Sequence, residues 1–237
     1  MDHIWAIGLI ILAASTIQSL TGFGFALIAV SLLPMLMDLQ VAVPLIVLIS
    51  TVGNAVLCWH YRDSIEGAAV IRLVGAALVT IPVGLIGLHY LPEHMALRLL
   101  GGIIVAYVVY DGLKLSLPQL QSPRWAYAFG AASGILTGAF NTGGPPVVVY
   151  GSCHRWSPEQ FKSNMPSVFF MTSLGAIALH SWQGHITPAL LQTTLYATPF
   201  FAGGLALGLG LSRYIEAAQF RYLVLVLLGI MGIRLLF

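Results

Sequence analysis

The stretch Gln18-Ser19-Leu20-Thr21-Gly22-Phe23-Gly24 interrupts an apolar run that extends from residue 4 to residue 37. Glycines beside small polar residues disfavour a helix, and within lipid a non-helical backbone persists only where protein or water satisfies its N–H and C=O groups. A second stretch of this kind, Asn141-Thr142-Gly143-Gly144-Pro145-Pro146, lies in the second half of the chain. Two breaks at corresponding places of two halves predict the central binding site of a transporter.

The composition is that of an integral membrane protein. Of the 237 residues, 58% are hydrophobic and 8% are charged, and the mean hydropathy is +0.91; soluble domains carry about 25% charged residues. We therefore expect a single membrane domain over residues 1–237, with the lipid bilayer as its surroundings. The net charge of +2 arises from basic residues spread over short loops, so we expect no nucleic-acid partner.

Eight apolar segments are long enough to cross a hydrocarbon core about 30 Å thick. The first and the fifth are too long for one crossing of about 20 residues, and each contains one of the glycine breaks. We expect each of these two to fold back as a helical hairpin. The segments lie at roughly 4–37, 41–60, 68–90, 95–115, 125–153, 163–181, 187–211 and 217–236.

The two halves of the chain match element by element. Thr21-Gly22-Phe23-Gly24 corresponds to Thr142-Gly143-Gly144, and Thr80-Ile81-Pro82 corresponds to Thr198-Pro199. Their common order indicates an internal duplication. We assign repeat one to residues 4–115, the linker to 116–124 and repeat two to 125–237. The fold class predicted is an all-α integral membrane protein with two repeats, each a glycine-broken hairpin followed by three transmembrane helices.

The distribution of lysine and arginine predicts how the repeats are oriented. If each long segment crossed once, the ten basic residues would divide evenly between the two sides of the membrane. If each folds back, eight share one side, which the positive-inside rule makes the cytoplasm. The repeats are then inverted, both termini lie outside, and the tips of the hairpins approach each other near the midplane. The eight are Arg62, Arg72, Lys114, Arg124, Arg155, Lys162, Arg213 and Arg221.

The candidate substrate site consists of the two hairpin tips. Neither tip carries a charged side chain, so we expect an anion to be held by free N–H groups at helices that start near Phe23 and Pro145. The alternative is that the glycines only let helices pack closely. The candidate residues are Gln18, Thr21, Gly22, Phe23 and Gly24 at the first tip, and Asn141, Thr142, Gly143, Gly144 and Pro145 at the second.

Two further residues belong to this set. Asn54 is costly to bury in lipid, and we expect it to face the site, with an interhelical hydrogen bond as the alternative. His180 is a candidate for proton coupling, with a place at the membrane interface as the alternative. No segment carries Asp or Glu at its centre, so we expect no catalytic residue, no metal and no cofactor. A passive anion channel, or an intramembrane enzyme acting on a lipid phosphate, is the competing function.

These features together resemble the sulfite exporter TauE/SafE family of bacterial membrane permeases. The resemblance lies in the two broken segments, in the loop His60-Tyr61-Arg62-Asp63 before a glycine-rich third segment, and in the duplication of about 120 residues. It implies a multi-pass permease of the bacterial cytoplasmic (inner) membrane. Its substrate would be a small anion, either sulfite or a sulfonate such as sulfoacetate, and a homodimer is left open.

This sequence departs from the glycine triplet of the family at both tips. Phe23 lies inside Gly22-Phe23-Gly24, and two prolines follow Gly143-Gly144. The resemblance therefore supports the fold more than it supports simple sulfite as the substrate. The Phe23 ring would either pack against the carbon part of an organic sulfonate or plug the tip.

The folded-back arrangement predicts the sidedness of the linker and the C-terminus. Single cysteines introduced at Gln121 and directly after Phe237 should be labelled from opposite sides of the membrane by an impermeant thiol reagent. Labelling of both from the same side would contradict the inverted repeat.

Overall fold

The computed structural model describes residues 4–21, 23–113, 118–120, 122–211 and 217–236, without the side chains of 21, 217–224 and 227. All regular secondary structure in this part of the chain is helical. Short 3-10 turns occupy Leu33–Met35 and Arg62–Ser64. The α-helices are α1 Ile4–Thr21, α2 Phe25–Leu32, α3 Leu39–His60, α4 Gly67–Tyr90, α5 Glu93–Gly112, α6 Arg124–Phe140, α7 Gly144–Cys153, α8 Pro158–Trp182, α9 Pro188–Leu211 and α10 Ala217–Leu236.

The helices form two sets of five with similar lengths in the same order. α1 to α5 contain 18, 8, 22, 24 and 20 residues, and α6 to α10 contain 17, 10, 25, 24 and 20. The all-helical prediction is confirmed, and the first and fifth apolar segments are each broken into two helices. The second helix of each pair begins at Phe25 and at Gly144, close to the expected starts.

The helices gather in two compact units, and each unit draws on both halves of the chain. Unit 1 comprises Met1–Ile46, His89–Leu115 and Thr187–Phe237, and unit 2 comprises Val47–Leu88 and Ser116–Ile186. Unit 1 thus contains α1, α2, α5, α9, α10 and the first part of α3. Unit 2 contains α4, α6, α7, α8 and the rest of α3.

In unit 1, α9 packs directly against the backbone of α1. A Cβ atom at Gly204 would overlap the carbonyl oxygen of Leu12, and one at Gly208 would meet that of Thr16. The two glycines are four residues apart, which is the small-xxx-small pattern that lets membrane helices approach closely. Because residue numbers rise together along both helices, α1 and α9 are parallel.

Unit 1 also pairs α5 with α10, and these two helices run in opposite directions. A Cβ atom at Gly101 would lie 2.9 Å from Cβ of Leu235, whereas one at Gly229 would lie 3.5 Å from Val108. Residue numbers therefore rise along α5 as they fall along α10. The two helices occupy the fifth place in their respective sets, so equivalent helices are antiparallel.

In unit 2, α6 packs closely against α4. The Thr80 hydroxyl donates to the carbonyl oxygen of Ala131 at 2.8 Å, across the two helices. Glycines at every fourth position of α6 leave no space for a side chain at this contact. The close pairs are Gly130 with Leu73, Gly134 with Ala77, and Gly138 with Ile81. The order of these pairs makes α4 and α6 parallel.

The fifth segment folds back on itself within unit 2. The ring centroids of Phe129 in α6 and Tyr150 in α7 are 6.0 Å apart, whereas one continuous helix would separate these residues by roughly 30 Å. The N–H of Leu120, just before α6, donates to the carbonyl oxygen of Cys153 at the end of α7, at 3.1 Å. The hairpin therefore starts and ends at the same end of the unit.

A carboxylate joins two loops at that end. Glu66 Oε2 accepts a hydrogen bond from Trp156 Nε1 at 2.8 Å, and its Oε1 lies 3.2 Å from His154 Nε2. The N–H of Glu66 donates to Asn164 Oδ1 at 2.8 Å. We call Glu66, His154, Trp156 and Asn164 the Glu66 cluster. It brings the α3–α4 loop and the α7–α8 loop together, as they would be if both lay on one side of a membrane.

Several helices present apolar side chains outward. Ile71, Val79 and Leu195 are all mostly exposed, and apolar side chains are favourable there only against lipid. Among the described residues, four helices are long and apolar enough to cross a membrane unaided, namely α3, α4, α5 and α9. The polar residues of α8, in contrast, are largely buried.

The contact between α6 and α4 predicts opposite effects for one substitution at two glycines. Gly134→Ala should lower the stability by about 1–3 kcal/mol, because its Cβ would overlap Ala77 and Thr80. Gly75→Ala, in α4, has nothing within 4 Å of its Cβ and should be neutral or stabilising by up to about 1 kcal/mol, since alanine favours helix. Thermal unfolding in detergent measures both; equal midpoints would contradict the close contact.

Candidate functional site

The first hairpin tip lies in unit 1 and turns at Gly24. This residue has φ 101° and ψ −11°, a left-handed conformation that glycine adopts without steric cost. The first α2 hydrogen bond runs from the N–H of Ile28 to the carbonyl oxygen of Gly24, at 3.1 Å. The N–H groups of Phe25, Ala26 and Leu27 thus have no acceptor within the helix.

Besides Gly24, the structure places two of the residues predicted at this tip. Gln18 is buried in the last turn of α1. The Phe23 ring is half-buried and packs edge-on against Tyr107 of α5, with ring centroids 6.2 Å apart. Gly22 and the side chain of Thr21 lie outside the described residues.

The second hairpin tip lies in unit 2 and turns at Asn141. Its φ is 55° and its ψ is 27°, the left-handed conformation that asparagine tolerates at the end of a helix. Its N–H donates to the carbonyl oxygen of Thr137 at 2.9 Å. Its Nδ2 donates to Ser50 Oγ at 3.1 Å, so the side chain connects the tip to α3.

The two adjacent glycines at this tip have different reasons to be glycine. A Cβ atom at Gly143 would overlap Ser133 and Thr137 of α6, and the Ser133 hydroxyl donates to the carbonyl oxygen of Gly143 at 2.8 Å. Close packing therefore explains Gly143. A Cβ atom at Gly144 would meet only the Phe169 ring, at 3.7 Å, so its packing tolerates a side chain.

Thr142 is the residue of this tip that points to a ligand. Its side chain is 1% exposed, and Oγ1 has no hydrogen-bond partner among the described residues. Buried hydroxyl groups are hydrogen-bonded in most proteins, and leaving one unpaired costs about 1–3 kcal/mol. The Thr142 hydroxyl lies two residues before the start of α7, where it is free to donate a hydrogen bond.

The start of α7 offers fewer backbone donors than the sequence suggested. Pro145 and Pro146 occupy its first turn and have no N–H. The donors left at the tip are the N–H group of Gly144 and the hydroxyl of Thr142. Prolines suit this position because the N–H groups of a first turn have no helical acceptor.

The electrostatics of both hairpins come from the backbone. Residues 4–37 and 125–153 contain no Asp, Glu, Lys, Arg or His. The positive ends of the α2 and α7 dipoles therefore supply the positive potential, worth roughly 0.3–2 kcal/mol each toward an anion. No cluster of three or more His, Cys, Asp or Glu side chains that could hold a metal occurs in the part of the chain that the structure describes.

Asn54 and His180 take different positions. Asn54 is buried on α3, one helical turn beyond Ser50, so it lies on the same face as the residue that contacts the tip. His180 is buried at the end of α8, and its Nδ1 lies 3.1 Å from Nδ1 of His185. It lies roughly 16 Å along α8 from Phe169, the residue beside Gly144, so the structure does not bring it to this tip.

Two contacts of the second tip were not among the residues predicted from the sequence. Ser133 and Thr137 precede Asn141 by eight and four residues, so all three share one face of α6. This four-residue spacing is the sequence signal from which their contact with the tip could have been predicted. The pairing of Ser50 with Asn141 had none, because it joins residues 91 apart in the sequence.

Helical hairpins broken at uncharged, donor-bearing tips are the kind of site that multi-pass membrane transport proteins build. A family profile described as "Sulfite exporter TauE/SafE" matches residues 7–235. The chain belongs to this family. It is accordingly a multi-pass membrane transporter and not an enzyme.

One curated protein is similar to this chain in sequence. It is the "Probable sulfite/organosulfonate exporter TauE" of Cupriavidus necator, 27% identical over 194 residues, which cover 79% of this chain and 75% of the relative. No solved structure gives a significant match.

The contrast between the two glycines of the second tip can be tested by one substitution at each. Gly143→Ala should destabilise the protein by about 1–3 kcal/mol because of its clash with α6. Gly144→Ala should leave the unfolding midpoint nearly unchanged. Thermal unfolding in detergent distinguishes them; a Gly144→Ala variant that unfolds as early as Gly143→Ala would contradict the open space at Gly144.

Proposed function

We propose that this protein is a secondary transporter that moves a small organic anion, most readily a sulfonate such as sulfoacetate, or sulfite, across the bacterial cytoplasmic membrane. The observation that carries the proposal is the buried, unpartnered hydroxyl of Thr142 directly before the start of α7. A bound oxyanion supplies the acceptor that this hydroxyl lacks, in a segment without Asp, Glu, Lys, Arg or His.

The chemistry of the second tip suits a monoanion with several oxygens. Thr142 Oγ1 and the N–H group of Gly144 each donate one hydrogen bond in the proposed site. A hydrogen bond to a charged group contributes about 1.5–3 kcal/mol, and the α7 dipole adds to this. A sulfonate spreads one negative charge over three oxygens. Uncharged donors of this kind suit such an anion better than they suit a dianion, whose charge is more concentrated.

The first tip contributes donors of the same type. The free N–H groups at the start of α2 form a second oxyanion site in the proposal, with Gln18 as a neighbouring side chain. Phe23, held against Tyr107, is positioned as an apolar wall beside these donors. An organic sulfonate has a carbon part that such a ring accommodates, whereas sulfite has none.

The proposed mechanism is alternating access by two inverted repeats. Three packing directions support it: α5 is antiparallel to its equivalent α10, while α1 with α9 and α4 with α6 form equivalent parallel pairs. A direct repeat would make α5 and α10 parallel. Folded-back long segments give the observed directions, because each repeat then makes an odd number of crossings.

The proposal assigns the Glu66 end of unit 2 to the cytoplasm. Arg62, Arg155 and Lys162 lie in or beside the two loops joined by Glu66, and Arg124 begins α6 near Leu120. Basic residues near helix ends mark the cytoplasmic side. Both termini then lie outside. The name of the Cupriavidus relative supports sulfite or an organosulfonate as the cargo.

Removing the Thr142 hydroxyl should change anion binding without changing the stability of the protein. Thr142→Val should not lower the unfolding midpoint, since the hydroxyl has no protein partner to lose. Binding of ethanesulfonate should weaken about 10- to 100-fold, which corresponds to the loss of a hydrogen bond to a charged group. Thr142→Ser should restore it.

The measurements are ligand-induced thermal shift in detergent and uptake of labelled ethanesulfonate by proteoliposomes. Uptake should saturate and should be accelerated by unlabelled ethanesulfonate on the opposite side. Unchanged affinity in Thr142→Val would contradict the proposed site, and uptake without saturation or acceleration would favour a passive channel over a carrier.

A further inference from the structure

Polar residues continue from the second tip toward the Glu66 cluster, all within unit 2, and all but Cys58 are buried. On α3, Ser50, Asn54 and Cys58 recur every four residues and so share one helix face. On α8, Ser167 and Asn164 lie one turn apart. We call these five residues the polar seam.

Hydrogen bonds join the seam to the tip and to the cluster. Ser50 Oγ accepts from Asn141 Nδ2 at the tip. Cys58 Sγ lies 3.3 Å from Ser167 Oγ, and the Ser167 hydroxyl donates to the carbonyl oxygen of Ser163 at 2.7 Å, so the thiol is the donor between them. Asn164 accepts from the N–H of Glu66 at the other end.

The burial of α3 distinguishes the seam from a lipid-facing surface. Ser50 and Asn54 are each 3% exposed, whereas Val52 and Val56 of the same helix are 57% and 43% exposed. α3 thus turns an apolar face outward and a polar face inward. Uncharged polar side chains that face the interior of a membrane protein form hydrogen bonds between helices, and a continuous row of them can also solvate a polar cargo.

Asn164 is the second point in this unit that lacks a partner. Its side chain is 0% exposed, its Oδ1 is occupied by Glu66, and its Nδ2 has no hydrogen-bond partner among the described residues. An amide N–H₂ group is a donor only. A buried, unused donor at one end of the seam thus matches the buried, unused hydroxyl of Thr142 near the other end.

We propose that the polar seam is the path along which the anion passes between the second tip and the Glu66 end, with the Asn164 amide as a second anion contact. The inference rests on the proposed transport function. Ser50 to Cys58 spans roughly 12 Å of helix and Ser167 to Asn164 roughly 5 Å more. Together these cover about half of a hydrocarbon core of about 30 Å, the distance from a mid-membrane tip to one surface.

The Glu66 end accommodates an anion despite its carboxylate. Both carboxylate oxygens are engaged, one by Trp156 and one by His154. Lys162 lies at the same end, with its Nζ 6.0 Å from the centroid of the Tyr61 ring. Basic side chains at the mouth of a path raise the local concentration of anions.

The native thiol of Cys58 makes the path testable in the full-length protein. In a Cys153→Ala background, Cys58 should react with 2-sulfonatoethyl methanethiosulfonate, whose sulfonate resembles the proposed cargo. The thiolate attacks the sulfur that bears the sulfonatoethyl group, forms a mixed disulfide and releases methanesulfinate. Ethanesulfonate should slow this labelling severalfold, and neutral ethyl methyl sulfone should not.

The matched control is Cys58→Ser, which retains Cys153. Cys153 is buried near the same end but lies outside the seam, so its labelling should be slow and insensitive to ethanesulfonate. Ethanesulfonate uptake by the same proteoliposomes is measured first. If uptake is intact but Cys58 is labelled equally with and without ethanesulfonate, or reacts only with a neutral reagent, the path is refuted. Absence of uptake would refute the proposed function instead.

A second variant tests the Asn164 contact. Asn164→Asp keeps an oxygen acceptor for the N–H of Glu66 but replaces the free donor with a group that repels an anion. Uptake of ethanesulfonate should fall at least tenfold, measured below the unfolding midpoint of the variant, which a carboxylate at this 0% exposed position lowers. Uptake at the original rate would overturn the assignment of Asn164 to the path.

Discussion

Every backbone N–H and C=O group in a hydrocarbon environment needs a hydrogen-bond partner, and this requirement shapes the whole chain. Helices satisfy it internally, so an interruption must be enclosed by protein. The second break meets the requirement through Asn141, whose N–H bonds to α6 and whose amide bonds to α3. Ser133 provides a donor for the carbonyl oxygen of Gly143. The hydroxyl of Thr142 is the group at this break that has no hydrogen-bond partner among the described residues. The proposed function rests on this hydroxyl.

Close helix packing holds the broken segments in place. Lipid chains are as apolar as leucine, so helices associate through direct contact of their backbones rather than through the hydrophobic effect. The glycines of α6 against α4, and those of α9 against α1, serve this purpose. Each contact joins a broken helix of one half of the chain to an unbroken helix of the other half. The two halves of the chain are therefore interleaved, and neither half forms a compact unit alone.

Apolar length and glycine position were sufficient to predict the helices and both breaks. Segment length is set by membrane thickness, and glycines beside small polar residues disfavour a helix. Gly101-Gly102 and Gly203-Gly204, which have apolar neighbours, remain inside α5 and α9. The sequence was less informative about individual site residues. It treated Gly143 and Gly144 as equivalent, because only the approach of Ser133 and Thr137 separates them. It did not predict the hydrogen bond between Glu66 and Asn164, because these residues are 98 positions apart in the sequence.

The adjacent prolines at the start of α7 affect the protein when nothing is bound. An empty site in a membrane interior leaves its donors facing neither water nor ligand, and each such N–H raises the free energy of the unloaded protein. Pro145 and Pro146 have no N–H to leave unsatisfied. In the proposed carrier mechanism the protein returns empty after each delivery, and a tip with few idle donors would make that return step less costly. Fewer donors would also bind the anion less tightly, which in that mechanism favours rapid turnover over tight capture.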